Sequence, residues 1–174
     1  MVLLDAVAIA ANTVGTTTID LFGEGPLDAA IRARVEELGL ADIVRFRGYV
    51  PLAELQRHFR ETRPVCVLPS IRTESGEMEG IPVSLIEAMA NGAPVVSTPT
   101  GSIADLVVDG TGLLVAPGDP AALAAVLVRL IREQGLAEEL AGAARARVES
   151  EFDVRESSER VWALCFAHAD ADAL

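Results

Sequence analysis

"PVCVLPSIRTESGEMEGIPVSLIEAMANGAPVVST", residues 64–98, carries an apolar strand, a glycine-punctuated loop, a helix and a second apolar strand in one run. "PVCVLPS" (64–70) is apolar on both faces, as buried parallel strands are. A helix is predicted over 82–91, with Pro82 presetting the helical φ of its first turn and Asn91-Gly92 stopping it. "APVVST" then returns to strand. Strand, helix and strand in this order make a βα unit, whose crossover is right-handed and whose strands lie parallel in a sheet covered on both faces.

The same alternation extends outward in both directions. Upstream lie a helix in "MVLLDAVAIAANTVG", a strand in "TTTIDLFG" (16–23), a helix in "GPLDAAIRARVEELGL", a strand in "DIVRFRG" (42–48) and a short helix in "VPLAELQRHFRETR". Downstream, "GSIADLVVDG" predicts a short helix and "TGLLVAPGD" a strand and turn. Asp119 is an N-cap with Pro120 at the first helical position, and helices follow near 120–133, 136–150 and 154–168. The final "ADADAL" is expected to fray. The fold class is α/β: a Rossmann-like, doubly wound parallel sheet with a helical C-terminal tail, all in one domain over residues 1–174. In such sheets ligands bind beyond the carboxyl ends of the strands. The loops at 23–26, 48–49, 69–80 and 98–102 are expected to converge there.

Composition narrows the function classes. A chain of 174 residues buries about 70% of its unfolded surface, and with 51% hydrophobic but only 4% aromatic residues its core is aliphatic. The net charge of −12 offers no basic face for nucleic acid. No apolar run reaches the roughly 18 residues of a spanning helix, and Asp5 with no basic flank argues against a signal peptide. Cys66 and Cys165 give neither a disulfide framework nor a metal spacing, so a reduced, cytoplasmic protein is expected.

Two carboxylates bracket the mouth of the helix over 82–91. Glu79 stands in the loop before it and Glu87 on it, with seven residues between. Gly80 permits close approach of a ligand to the backbone. The amides around Ile81, Val83 and Ser84 point out of a helix N-terminus whose dipole favours an anion, such as a phosphate. Glu87 is too deep to cap the helix but within reach of a hydroxyl pair alongside, such as a ribose diol. Glu79 is placed to accept from sugar hydroxyls.

From "PSIRTESGEMEGIPVSLIEAMANGAPVVSTPTGSIADLVVDGTGLLVAPGDPAALAAVL", with "LFGEGPL" and "VRFRGYV" upstream, the chain resembles the C-terminal, donor-binding half of the family 4 retaining glycosyltransferases of GT-B fold. It is particularly similar to those that build exopolysaccharides. The resemblance spans about residues 2–150. It implies that Glu79 holds the donor sugar near the reacting carbon, as the residue assigned to catalysis. Gly80, Ile81, Pro82, Val83 and Ser84 would contact sugar and diphosphate, and Glu87 the ribose. Gly23 and Gly25 would let their loop pass the pyrophosphate, and Tyr49 and Val50 would frame the base. The substrate would be a nucleoside-diphosphate sugar, with no metal required, and the acceptor a polysaccharide or glycolipid held by an N-terminal domain. That domain would also carry any attachment to the inner face of the membrane.

The family places an Arg and a Lys just ahead of the helix that matches "VLLDAVAIA", after a central first strand. Met1 falls just beyond them, so strands 16–22 and 64–68 would face a vacancy or close up and pair. Two missing cations cost roughly 3–6 kcal/mol, about 10²- to 10⁴-fold in donor affinity, and turnover by the isolated chain is not expected. Arg72 is the basic residue nearest the site in sequence and would compensate in part. The alternatives are a non-catalytic nucleotide or nucleotide-sugar binding module, and a truncated fragment. A dinucleotide-binding dehydrogenase fits less well, since "GEGPLDAA" lacks the third glycine of the fingerprint. Glu74 and Glu77 read as solvated acids, His58 as surface or packing, and Cys66 as core. Val161, Trp162 and Phe166 read as a packing face, part of it left exposed where the other domain would cover it. Ser70 and Ser97 have no paired His and Asp for hydrolase chemistry.

Overall fold

The computed structural model describes residues 1–15, 17–73, 75, 76 and 78–166. The readings of Glu74 and Glu77 as solvated acids, and of "ADADAL" as a frayed end, lie outside these residues. Along the chain run α1 (Val2–Val14), β1 (Ile19–Phe22), α2 (Asp28–Glu37), β2 (Val44–Gly48), α3 (Leu52–Thr62), β3 (Cys66–Leu68), α4 (Val83–Ala90) and β4 (Val95–Ser97). There follow α5 (Ile103–Leu106), β5 (Leu113–Leu114), α6 (Pro120–Arg132), α7 (Gln134–Glu151) and α8 (Val154–Phe166). The order of strands and helices is the one expected, but each strand is shorter. β3 stops short of the predicted 64–70 because Pro64 and Pro69 have no amide to donate to a ladder.

All pairings are parallel and fall into two sheets. β1 pairs with β2, Ile19 opposite Val44 and Leu21 opposite Phe46. β4 lies between β3 and β5, with Cys66 opposite Val95 and Ser97 opposite Leu114. β1 and β3 do not pair with each other, so of the two expected arrangements direct closure is the wrong one. Helix α1 packs on both sheets. Leu4 and Val7 pack with Val35, Leu40 and Val44 over the first sheet, while Ala6 and Ala10 pack with Val96, Val115 and Leu123 over the second. The central strand β4 is buried throughout, whereas β1 and β3 are mostly half-buried.

The C-terminal helices divide in their roles. α6 and α7 contribute Leu123, Leu127, Leu130 and Leu140 to one core cluster, and α7 adds Ala144 and Val148 to the other. Phe152 is the last residue packed on that core. α8 has no buried residue. Val161, Trp162 and Phe166 therefore form no packing face against the domain; Trp162 stacks on Phe166 at 4.1 Å between ring centroids, and both face outward. No helix among the described residues is long and apolar enough to cross a membrane.

Cys66 packs against the first core cluster. The residue as a whole is half-buried, but the surroundings of its thiol are apolar and burial pushes it from 9.0 up to about 12. Cys165 on α8 is exposed. In the native chain Ellman's reagent should therefore titrate one thiol quickly, with Cys66 much slower for want of access and thiolate, and both after denaturation. The rate at which Cys165→Ser reacts isolates the slow thiol.

Candidate functional site

The site is built where β3 and β4 end. α4 begins at Val83, one residue later than predicted, and Pro82 is its N-cap with φ −68° and ψ 123° rather than a member of the first turn. An extended ψ turns the Pro82 carbonyl inward, where it accepts from the amides of Leu85 (3.1 Å) and Ile86 (3.3 Å). No side chain caps this N-terminus, so the amides ahead of Leu85, at Val83 and Ser84, lie at an open helix mouth. Leu85, Ala88 and Met89 anchor the inner face at 0% exposure. Val83 and Ser84 are exposed, Ile81 is half-buried and Pro82 is buried.

The two acids stand in different surroundings. Glu87 is half-buried, and its Oε2 accepts from Gln56 Nε2 at 2.8 Å. Gln56 lies on α3, a helix anchored by buried Phe59 and partly buried Leu55. Asn91 at the end of α4 donates through Nδ2 to the Glu87 carbonyl (2.8 Å) and accepts from Arg60 Nη1 (2.7 Å). Glu79 and Gly80 are exposed in the loop entering the helix. What fixes Glu79 is its backbone, which lies against Gly101. A Cβ added at Gly101 would stand 1.7 Å from the Glu79 carbonyl oxygen, and its φ of +56° also disfavours a side chain. Gly101 in turn follows Ser97 and Thr98, whose hydroxyls donate to the carbonyls of Leu68 (2.6 Å) and Ser70 (2.5 Å). The Ser97 hydroxyl is thereby committed to structure.

The glycine loop after β1 lies at the end of the first sheet. Gly23 adopts φ +105°, and its amide donates to the Gly48 carbonyl at 2.8 Å. Gly23, Glu24, Gly25, Asp28, Arg32, Phe46 and Gly48 line a cavity of about 230 Å³. Tyr49 is 77% exposed and its ring lies outside this cavity; its amide points to Glu24 Oε1 at a long 3.4 Å. Val50 is half-buried. The Arg72 guanidinium lies beside Gly76 of its own exposed loop. Arg32 lines the cavity beside the glycine loop; its guanidinium sits 3.9 Å from the centroid of Phe46 and bonds Asp28 at 2.9 Å. Its signal was present in sequence, since Asp28 and Arg32 are one helical turn apart at the start of α2. Gln56 and Gly101 had no such local signal, because their partners are 31 and 22 residues away. His58 packs on Phe22 with ring centroids 5.3 Å apart and is 3.7 Å from Asp20, which is held by Arg47 at 2.8 Å. Among the described residues no group of three or more His, Cys, Asp and Glu side chains is placed to hold a metal ion.

The family model for glycosyl transferases group 1 matches residues 1–133. The chain belongs to that family. The amylovoran biosynthesis glycosyltransferase AmsK of Erwinia amylovora is 37% identical over 153 residues, covering 87% of this chain and 37% of AmsK. The colanic acid biosynthesis glycosyltransferase WcaL of Escherichia coli, a putative assignment in its own name, is 39% identical over 76% of this chain and 33% of its own length. The chain thus spans about a third of the length of these relatives. Among solved structures, Anabaena Alr3699/HepE in complex with UDP and glucose superposes with a TM-score of 0.80 at 22% identity, over 95% of this chain and 44% of that one. That likeness concerns the fold, and it places this group 1 glycosyl transferase chain on a GT-B domain.

The contact of Gly101 with Glu79 yields a direct test. Gly101→Ala has no room at its Cβ, so the loop carrying Glu79 must move. Overpacking and a left-handed φ together cost about 2–4 kcal/mol, read as a lower denaturation midpoint. Gly118→Ala, also at positive φ (+76°) but with nothing within 4 Å of the added Cβ, should cost less. Equal losses in the two variants would mean that Gly101 is not closed by Glu79.

Proposed function

We propose that this chain is the donor-binding half of a retaining glycosyltransferase. It takes a nucleoside-diphosphate sugar and presents the sugar to a polysaccharide or glycolipid acceptor. The observation that carries the reading is the uncapped mouth of α4, with Glu79 in the loop before it and Glu87 held beside it. Amides at a helix N-terminus bind a diphosphate without any cation of their own, and the two carboxylates supply acceptors for hydroxyls on either side. In this reading Gly80, Ile81, Pro82, Val83 and Ser84 contact sugar and diphosphate, Glu87 takes the ribose diol, and Glu79 orients the sugar beside the reacting carbon. Gly23 and Gly25 pass the pyrophosphate, Tyr49 and Val50 offer backbone groups to the base, and Arg72 reaches toward the leaving diphosphate. Fixed dipoles and basic side chains carry that charge with no metal required.

Two features of the relatives support the reading. AmsK and WcaL are named for biosynthesis of amylovoran and colanic acid, which suits a saccharide acceptor. HepE, of the same fold, was crystallised with UDP and with UDP-glucose, which makes UDP the first nucleotide to try. In this reading the acceptor site and closure over the donor belong to a further domain, so binding without turnover is the expected behaviour of the donor half by itself.

The test is an amide NMR titration with UDP-glucose and GDP-mannose, beside a hydrolysis and transfer assay. One donor should give saturable shifts. A hydrogen bond to a charged group contributes about 1.5–3 kcal/mol, so Glu87→Gln and Glu79→Gln should each weaken binding by about 10- to 100-fold. Binding that both variants leave untouched, or no binding of either donor, would sink the assignment.

A further inference from the structure

Gln56 lies outside the loops of the proposed donor site, yet it makes the one side-chain hydrogen bond recorded for the Glu87 carboxylate among the described residues, at 2.8 Å to Oε2. An isolated glutamate on a helix flank rotates about three torsions, and ordering such a side chain costs conformational entropy. Here the neighbouring helix has already ordered it. Gln56 and Arg60 on α3 face Glu87 and Asn91 on α4, each pair one helical turn apart, and both rungs are made. The Asn91 side chain also bonds the Glu87 carbonyl, so the rungs share a residue. A side-chain amide presents two donors and one acceptor. Facing a carboxylate it can only donate, and by taking one oxygen it leaves the other for a ligand.

We infer that Gln56 is a positioning residue: its amide holds one oxygen of Glu87 so that the second is set, before any ligand arrives, to accept from a vicinal diol on the bound nucleotide. This rests on the donor-binding reading above and goes beyond it by placing a determinant of ribose recognition on α3. The polarity of the pair carries the argument. In Glu87→Gln both side chains are amides, and Gln56 then donates to the lone acceptor of its neighbour. That turns an NH₂ toward the diol, which is the wrong group for an O–H donor. In the double variant Q56E/E87Q the new carboxylate at position 56 accepts that NH₂ instead, and an oxygen again faces the ligand. Gln56→Glu alone sets two carboxylates against each other and drives Glu87 out of place.

The experiment titrates the chain with UDP and GDP, and with the 2′,3′-dideoxy form of whichever binds, following amide shifts and denaturation midpoints together. Gln56→Leu should weaken binding of the ribonucleotide about 5- to 10-fold and leave the dideoxy form unchanged. Gln56→Glu should do at least as much harm. The double variant should bind better than either of its single parents, a reversal that simple loss of packing does not produce. Arg147→Ala, which breaks the bonds from α7 to the Leu106 and Asp105 carbonyls away from this contact, serves as the structural control and should leave both affinities alone. Equal weakening of both nucleotide forms by Gln56→Leu, or a double variant no better than its parents, overturns the proposal while the donor reading stands. If the unaltered chain binds neither UDP nor GDP, the donor reading falls and this proposal falls with it.

Discussion

Helix α4 has little choice about where its N-terminus lies. It joins two adjacent parallel strands of three residues each, so it must run back against them and begin at their carboxyl edge. Both ends are fastened. At the far end the Ala93 amide donates to the Ala88 carbonyl at 3.0 Å, and Gly92 turns the chain with φ +76°. At the near end the Ser97 and Thr98 hydroxyls tie the close of β4 to the close of β3, and Gly101 comes up against the Glu79 backbone. Three fully buried side chains on the inner face then leave the helix no freedom to roll. An open ring of amides, an acid in the entering loop and an acid on the flank follow from those restraints.

Much of this was legible in the residues. Periodicity and punctuation gave every element in order, because strands two residues in period and helices of 3.6 leave distinct apolar patterns, and Pro, Gly and Asn mark the joins. Glu79 and Glu87 stand out because they flank a Gly-Ile-Pro helix start that is itself local in sequence. What local pattern did not carry were contacts closed by the tertiary fold. Gln56 reads as an ordinary polar position on an amphipathic helix, and only the packing of α3 on α4 brings it to Glu87. Trp162 and Phe166 have the spacing of a packing face, but a helical pattern says nothing about whether a partner lies opposite, and α8 leaves the domain after Phe152.

The two sheets show how the core manages without a continuous set of strands. β4 has neighbours on both sides and is wholly buried, whereas β1 and β3 each have one and remain half-open. α1 bridges the two with four buried residues, two facing each way. Full burial of an aliphatic side chain contributes about 1.5–3 kcal/mol, so Leu4 and Val7 alone tie the first sheet to the rest by several kcal/mol. This ties the glycine loop after β1 to the same framework as α4, as a donor gripped by both would require.

Amide hydrogen exchange, with and without UDP-glucose or GDP-mannose at saturation, tests the central claim at the atoms it invokes. If the open mouth of α4 grips the diphosphate, exchange at Val83 and Ser84 slows on binding, with Gly80 and Ile81 following, while the far end of the helix is unaffected. Saturable binding that leaves those amides exchanging at their free rate would place the nucleotide elsewhere and contradict the account.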